Sequence, residues 1–313
     1  MRMLAWELVG AVVGAGLASG REIASFFTRH GAWSWAGILL AVGSLVVLSD
    51  VQLPPGWRQA WPGKLWRLLL SALLIATGGA MLSGAGEVAA LVTPLRYARF
   101  IGMLLTMLLA WLLARHTIAG LAWVSRGMLA VLAVMISLGL FLPTKETARL
   151  SNGGGVQALL QGLTYGGFNA ALQVPILMPA ACDDAARRRC IRQAGGVTLL
   201  LLTLGNAVLL RHTALLDEPL PFLRMLSGLG KAGYWLCALS LYLAILSTLT
   251  ACLRGLQGTW LPLCGIIAVS LLGFSGVVAR VYPLLGGGCC VMLLMAKFTN
   301  CARNPFHSRR DML

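Results

Sequence analysis

The chain has 313 residues, 58% of them hydrophobic and only 11% charged, with a mean hydropathy of +0.81. Soluble domains carry about 25% charged residues, so this composition excludes a soluble enzyme or binding module and indicates a polytopic membrane protein. The net charge of +15 is assigned to loops facing the cytoplasm rather than to a nucleic-acid partner.

Crossing the hydrocarbon takes about 20 apolar residues. Candidate spans lie at 4–28, 33–53, 65–92, 98–114, 118–142, 154–181, 192–211, 228–253, 259–277 and 280–298, so the expected fold is an all-α membrane protein of about ten transmembrane helices. The first span holds glycines at 10, 14, 16 and 20 and then meets Ser19, Arg21 and Glu22. Glycine costs a helix about 1 kcal/mol relative to alanine. A glycine run at mid-membrane depth therefore predicts a broken helix, which a bilayer tolerates only where the freed backbone lines a cavity or binds something. The span is too long, too glycine-rich and too polar in its second half for a cleaved signal peptide. A break there would expose amides near Gly14, Ala15, Gly16 and Ser19 to a solute carboxylate.

Glu87, in Ser83-Gly84-Ala85-Gly86-Glu87 on the third span, is a candidate for a substrate amine or a proton, with a place in the outer vestibule as the alternative. Arg21 and Glu22 are candidates for an outer gate. Arg126, on the fifth span, would lie about 13 Å deep if that helix begins near Thr117, where its charge would replace a coupling cation. The alternative is that it snorkels to the interface.

The polar stretch 144–153 divides the chain into residues 1–143 and 154–298, with five spans each, followed by a basic tail over 299–313. Five is odd, so the second half must be inverted relative to the first. Its first span carries Gly162-Leu163-Thr164-Tyr165-Gly166-Gly167-Phe168-Asn169, a second predicted break in the matching position. Tyr165, Gly166, Gly167, Phe168 and Asn169 are thereby candidates to wall and orient a small organic solute. The alternative for these glycines is close contact between helices. On the eighth span Ala244, Ser247 and Thr248 stand at i, i+3 and i+4 on one face. They offer oxygens for Na⁺, unless the hydroxyls bond back to their own helix. The eight cysteines, all at or after Cys182, form no CxxC pair and are expected to pack rather than bind metal.

Basic residues are denser in the loops that face the cytoplasm if the N-terminus does, most of all at Arg187, Arg188, Arg189 and Arg192. Gly273-Phe274-Ser275-Gly276 matches the short serine motif of intramembrane proteases. No neighbouring span supplies the histidine such a serine needs, so no enzyme is expected.

The pattern Val13-Gly14-Ala15-Gly16 through Ala18-Ser19-Gly20-Arg21-Glu22 to Phe26-Phe27 resembles that of the YkvI-type membrane proteins, and the span layout matches over nearly the whole chain. That family is similar to the amino acid–polyamine–organocation transporters of the LeuT fold, to branched-chain amino acid carriers and to spore-germination permeases. The resemblance implies a 5+5 inverted repeat with helices 1 and 6 broken. It also implies a sodium site built from the carbonyls of Gly10 and Val13 with Ala244, Ser247 and Thr248. The expected function is secondary transport of a small organic solute, an amino acid among the candidates, by alternating access coupled to Na⁺ or H⁺. The expected location is the cytoplasmic membrane. The alternative is a nutrient-sensing receptor subunit that binds without transporting. No cofactor is expected beyond a coupling ion.

Overall fold

In hydrocarbon the backbone must satisfy its own hydrogen bonds, so apolar runs fold as helices. A computed structural model describes residues 2–57, 59–115, 119–143, 154–178, 183–256 and 260–303, and no strand occurs among them. The helices are α1 (Arg2–Val12), α2 (Ala15–Ser19), α3 (Arg21–Phe26), α4 (Ser34–Ser49), α5 (Trp61–Val92), α6 (Ala98–Arg115) and α7 (Ala119–Gly139). They are followed by α8 (Gly155–Leu177), α9 (Asp184–Arg211), α10 (Pro221–Leu226), α11 (Gly230–Gly255), α12 (Trp260–Ser270), α13 (Phe274–Gly276) and α14 (Tyr282–Arg303).

Among the described residues six helical segments are long and apolar enough to cross a membrane unbroken: Thr28–Ser49, Trp61–Val92, Ala98–Arg115, Asp184–Arg211, Gly233–Gly255 and Phe274–Asn300. The interrupted run α1–α3, together with α7, α8 and α12, occupies the other four predicted positions. The outward side of α6 is apolar, with Leu104 71% exposed beside Phe100, Leu105 and Leu108. In water that face would be a large apolar patch, and in lipid it is ordinary surface.

With α1–α3 counted as one pass, α8 is the sixth and α11 the eighth. The packing falls into two groups. In one, α4 lies against α8 and α9, and α1 lies against α8 and α9. In the other, α5 lies against α6, α11 and α12, and α6 lies against α11. An offset of five passes relates several pairs. The contact of second with sixth pass recurs as seventh with first, and third with ninth as eighth with fourth.

The predicted break at Gly162–Asn169 is corrected by the structure. α8 runs without interruption from Gly155 to Leu177, with Pro175 inside it. Its glycines serve close approach instead. A Cβ on Gly162 would collide with the backbone carbonyl of Gly37, and one on Gly166 would meet Ala41 O at 2.5 Å and Ser44 Oγ closer still. On the neighbouring face of α8, a Cβ on Gly167 would meet the Cα of Cys290 at 2.8 Å. Cys289 and Cys290 are buried free thiols, so they pack, as expected of them. The predicted tail also begins later, because α14 continues through Arg303 and takes residues 299–303 into helix. Residues 304–313 lie outside the described residues.

Candidate functional site at the first-span break

The first span does break, between α1 and α2. Gly14 is extended (φ −82°, ψ −175°), and its N–H donates to Val12 O at 3.0 Å rather than to Gly10 O four residues back. Regular helix resumes where Ala18 N–H donates to Gly14 O at 3.0 Å. Gly10 and Val13 are buried on the α1 side of this interruption. A second bend follows at Gly20, which adopts a left-handed conformation (φ 83°, ψ −4°) that strains any residue with a Cβ. Ser19 steadies this bend, donating its hydroxyl to Gly16 O at 3.1 Å and accepting from Arg21 N–H at 3.2 Å.

The bend folds α3 back so that Glu22 lies over Gly16. A Cβ on Gly16 would fall on the Glu22 side chain, clashing with its carboxyl. The chain's own carboxyl thus occupies the place predicted for a solute carboxylate. Glu22 is 3% exposed and accepts a hydrogen bond from Tyr165 Oη at 3.3 Å. Aromatic rings continue from there. Phe26 and Phe27 meet Tyr165 edge-on at 5.3 and 5.1 Å, Phe168 follows at 6.4 Å, and Tyr282 stacks on Phe168 at 4.5 Å. Asn169 donates its Nδ2 to Tyr165 O at 3.0 Å, while its Oδ1 is buried without a partner. The hydroxyls of Thr77 and Tyr282 are likewise buried and make no well-formed hydrogen bond. Tyr165 therefore lies beside Glu22 with Phe168 and Asn169 next to it, while Gly166 and Gly167 face α4 and α14 instead.

On α11 the two predicted hydroxyls behave differently. Ser247 donates back to Ala244 O at 3.0 Å, the self-bonding typical of such residues in helices. Thr248 does not. Its Oγ1 is buried without a partner and would lie 3.4 Å from a Cβ on Gly14. The break of the first pass therefore faces a free hydroxyl of the eighth, beside a small cavity of about 30 Å³ bounded by Ala11, Leu172, Pro175 and Thr248. Apart from Thr248 its lining is apolar, with Leu74, Ile176, Ala251 and Cys252 completing it.

No family model matches the sequence. The membrane protein YkvI of Bacillus subtilis (strain 168) is 24% identical over 320 residues, covering 90% of this chain and 91% of that protein. A manganese transporter of Eremococcus coleocola, crystallised as a mutant, superposes with a TM-score of 0.59 at 16% identity, covering 94% of this chain and 77% of that one. The inward-facing conformation of Mhp1 superposes with a TM-score of 0.50 at 16% identity, covering 96% and 70%. The chain is similar to YkvI over nearly the whole length of both, and it has the LeuT fold. Within that fold the broken first helix and the intact eighth meet at Gly14 and Thr248.

The remaining predicted residues lie around this centre. Arg21 points away from Glu22 and donates to Leu216 O at 2.8 Å and Glu218 O at 3.2 Å, in the connection between α9 and α10. Arg29 pairs with Asp217 of the same connection. Arg21, Arg29, His30, Gln157 and Gln161 line a cavity of about 330 Å³ above Phe26. Glu87 is remote from the aromatic cluster. It pairs with Arg99 and borders a separate cavity of about 290 Å³ with Glu218 and Tyr234. Its side chain is partly exposed rather than fully buried. Arg126 belongs to α7, and its side chain lies outside the described residues.

Sequence reasoning missed Thr77, Tyr282 and the two phenylalanines as members of the cluster. A signal existed for Thr77, a lone hydroxyl in the apolar run Ala76-Thr77-Gly78-Gly79. Nothing local marks Tyr282, because only tertiary packing brings α14 to α8.

Proposed function

We propose that this chain is a secondary transporter that moves a small organic solute by alternating access, with the solute bound between the first-span break and α8. The observation that carries this reading is the interruption at Val13–Gly14, set against Thr248 in a fold it shares with transporters. Irregular backbone at membrane depth is expensive unless it lines a site, and binding energy that differs between two arrangements is what drives their exchange. Residues 1–143 and 154–298 would be the two inverted repeats, and the N-terminus would face the cytoplasm. The manganese named for the structural neighbour is not carried over, because no group of three or more His, Cys, Asp or Glu gathers among the described residues.

The coupling ion is Na⁺ or H⁺. For Na⁺ the donors would be the carbonyls of Gly10 and Val13 with Ala244 O and the hydroxyls of Ser247 and Thr248. The unpartnered Thr248 hydroxyl fits such a site, and the Ser247 hydroxyl, whose proton goes to Ala244 O, keeps its lone pairs for a cation. If sodium binds there, Thr248→Ala will lower the sodium dependence of thermal stabilisation or of uptake by tenfold or more, and Ser247→Ala by less. Equal sodium response in wild type and Thr248→Ala would remove this site. Uptake of candidate solutes into proteoliposomes under an imposed sodium or pH gradient tests the function itself. Binding without accumulation would make the chain a receptor.

Arg21 and Arg29 would close the outer entrance by holding residues 216–218. Arg21→Ala together with Asp217→Ala will therefore expose Ser25, which lines the 330 Å³ cavity. In a Ser25→Cys background, labelling by a membrane-impermeant thiol reagent should speed up at least fivefold. An unchanged rate would show that these contacts do not hold the entrance.

A further inference from the structure

We propose that the buried cluster of Glu22, Tyr165, Phe168 and Tyr282, between α3, α8 and α14, binds a small organic cation of the ammonium class, and that Glu22 gives up a proton as the cation enters. This names the solute class for the transport reading above and rests on it.

The first argument is charge. Glu22 is buried, and no salt bridge reaches it among the described residues. An isolated carboxylate in an apolar interior is strongly disfavoured, so such a group is either protonated or paired with a cation. Proton and ammonium then compete for one carboxyl. The proton leaves to bulk buffer when the cation arrives and returns when it departs, so occupancy by one excludes the other.

The second argument is the sign of the empty partners. Asn169 has already given Nδ2 to Tyr165 O, so what remains is its acceptor Oδ1. The Thr77 and Tyr282 hydroxyls face one another, and each oxygen keeps a lone pair that can accept. A ligand rich in N–H donors satisfies all three, whereas a carboxylate, an acceptor only, gains nothing from Asn169. The third argument is the wall. Phe26, Phe27, Tyr165, Phe168 and Tyr282 form a continuous chain of rings that reaches the carboxyl through Tyr165, and ring faces attract cations. The place beside Gly16, where a solute carboxylate would sit, already holds one.

The charged groups on elements packed against α3 do not cancel this field. On the 28–33 segment Arg29 is paired with Asp217, and His30 is buried with neither ring nitrogen bonded. Arg280 of the 277–281 segment and Arg211 at the end of α9 are exposed. The cluster from Asp184 to Arg192 lies at the opposite end of α9. On α8 the titratable group facing Glu22 is Tyr165 itself, and α2 carries none.

The test is calorimetry on the purified full chain with ethylammonium and tetramethylammonium, against acetate and alanine, in buffers of different ionisation enthalpy. An ammonium probe should bind with release of about one proton per site, its affinity rising about tenfold per pH unit on the acid side and levelling above. Glu22→Gln, which keeps the shape of the protonated acid, should lose at least thirtyfold in affinity together with the proton release. Tyr165→Phe should weaken binding but keep the release. Binding of acetate or alanine in place of the ammoniums would overturn the proposal, as would binding without proton release, full affinity in Glu22→Gln, or no ammonium binding at all. If Glu22→Gln fails to fold, the wild-type proton count and Tyr165→Phe still decide. The transport reading fails separately: an ammonium probe that binds but never accumulates in proteoliposomes refutes transport and leaves the cation site standing. Alanine bound and transported does the reverse.

Discussion

Gly16→Ala will displace the Glu22 carboxyl from its place beside α2. The new methyl falls where the Glu22 side chain lies, so Glu22 must swing out or α2 must shift. Gly16 has ordinary helical backbone and no positive φ, so alanine strains nothing locally and even favours helix by about 1 kcal/mol. The opposing cost is overpacking, about 1–3 kcal/mol, together with the lost hydrogen bond from Tyr165, about 1 kcal/mol. The expected result is a protein that still folds, with a small loss of thermal stability, and whose solute binding and uptake fall by at least tenfold. Thermal melts with and without solute, followed by uptake measurements, check it. A fully active Gly16→Ala protein would mean that Glu22 does not work from this position.

Gly162→Leu will act on folding instead. Here the obstacle is backbone, the carbonyl of Gly37 on α4, with Ala158 O placed the same way against Gly37. A flexible side chain could step aside, but two main chains in contact must separate. Leucine at 162 forces α4 from α8 and removes their dense packing, at a cost of about 3 kcal/mol or more, the upper end for overpacking. Little protein should survive detergent extraction as a monodisperse species, in contrast to Gly196→Leu, where a Cβ meets nothing within 4 Å. Equal yields from the two variants would refute the close approach of α4 and α8.

These two glycines also mark what the sequence could and could not reveal. Both sit in glycine-rich stretches of apolar spans, and composition alone reads both as points of weakness. At Gly14 that reading holds, since the helix is interrupted there, whereas Gly16 keeps helical backbone and makes room for the Glu22 carboxyl. At Gly162, Gly166 and Gly167 the same residue type allows two helices to touch, and helix geometry is kept. Sequence does not say which, because the deciding atoms, Gly37 O and Cys290, come from distant passes. Hydropathy located the spans well, since lipid imposes length and polarity directly. It located the polar centre only in part. Ser247 and Thr248 are indistinguishable by type and spacing, yet one bonds to its own helix and the other faces Gly14. Glu22 was visible as an intramembrane acid. Its turn toward Gly16 depends on the left-handed Gly20, which no period in the sequence encodes.

The seam between α4 and α8 has a mechanical corollary. Where Gly162 meets Gly37 and Gly166 meets Ala41, few side chains intervene, and so few rotamers are available to settle into a second arrangement. Discrete alternative packings are what allow one helix to ratchet past another. A surface without them has a single seating. The second and sixth passes should therefore travel as one stiff plank, with rearrangement left to contacts where longer side chains interleave, such as Ile266 and Val269 of α12 over Gly78 and Gly79 of α5. A crosslink across the plank would be silent, whereas one across the interleaved face would stall the cycle.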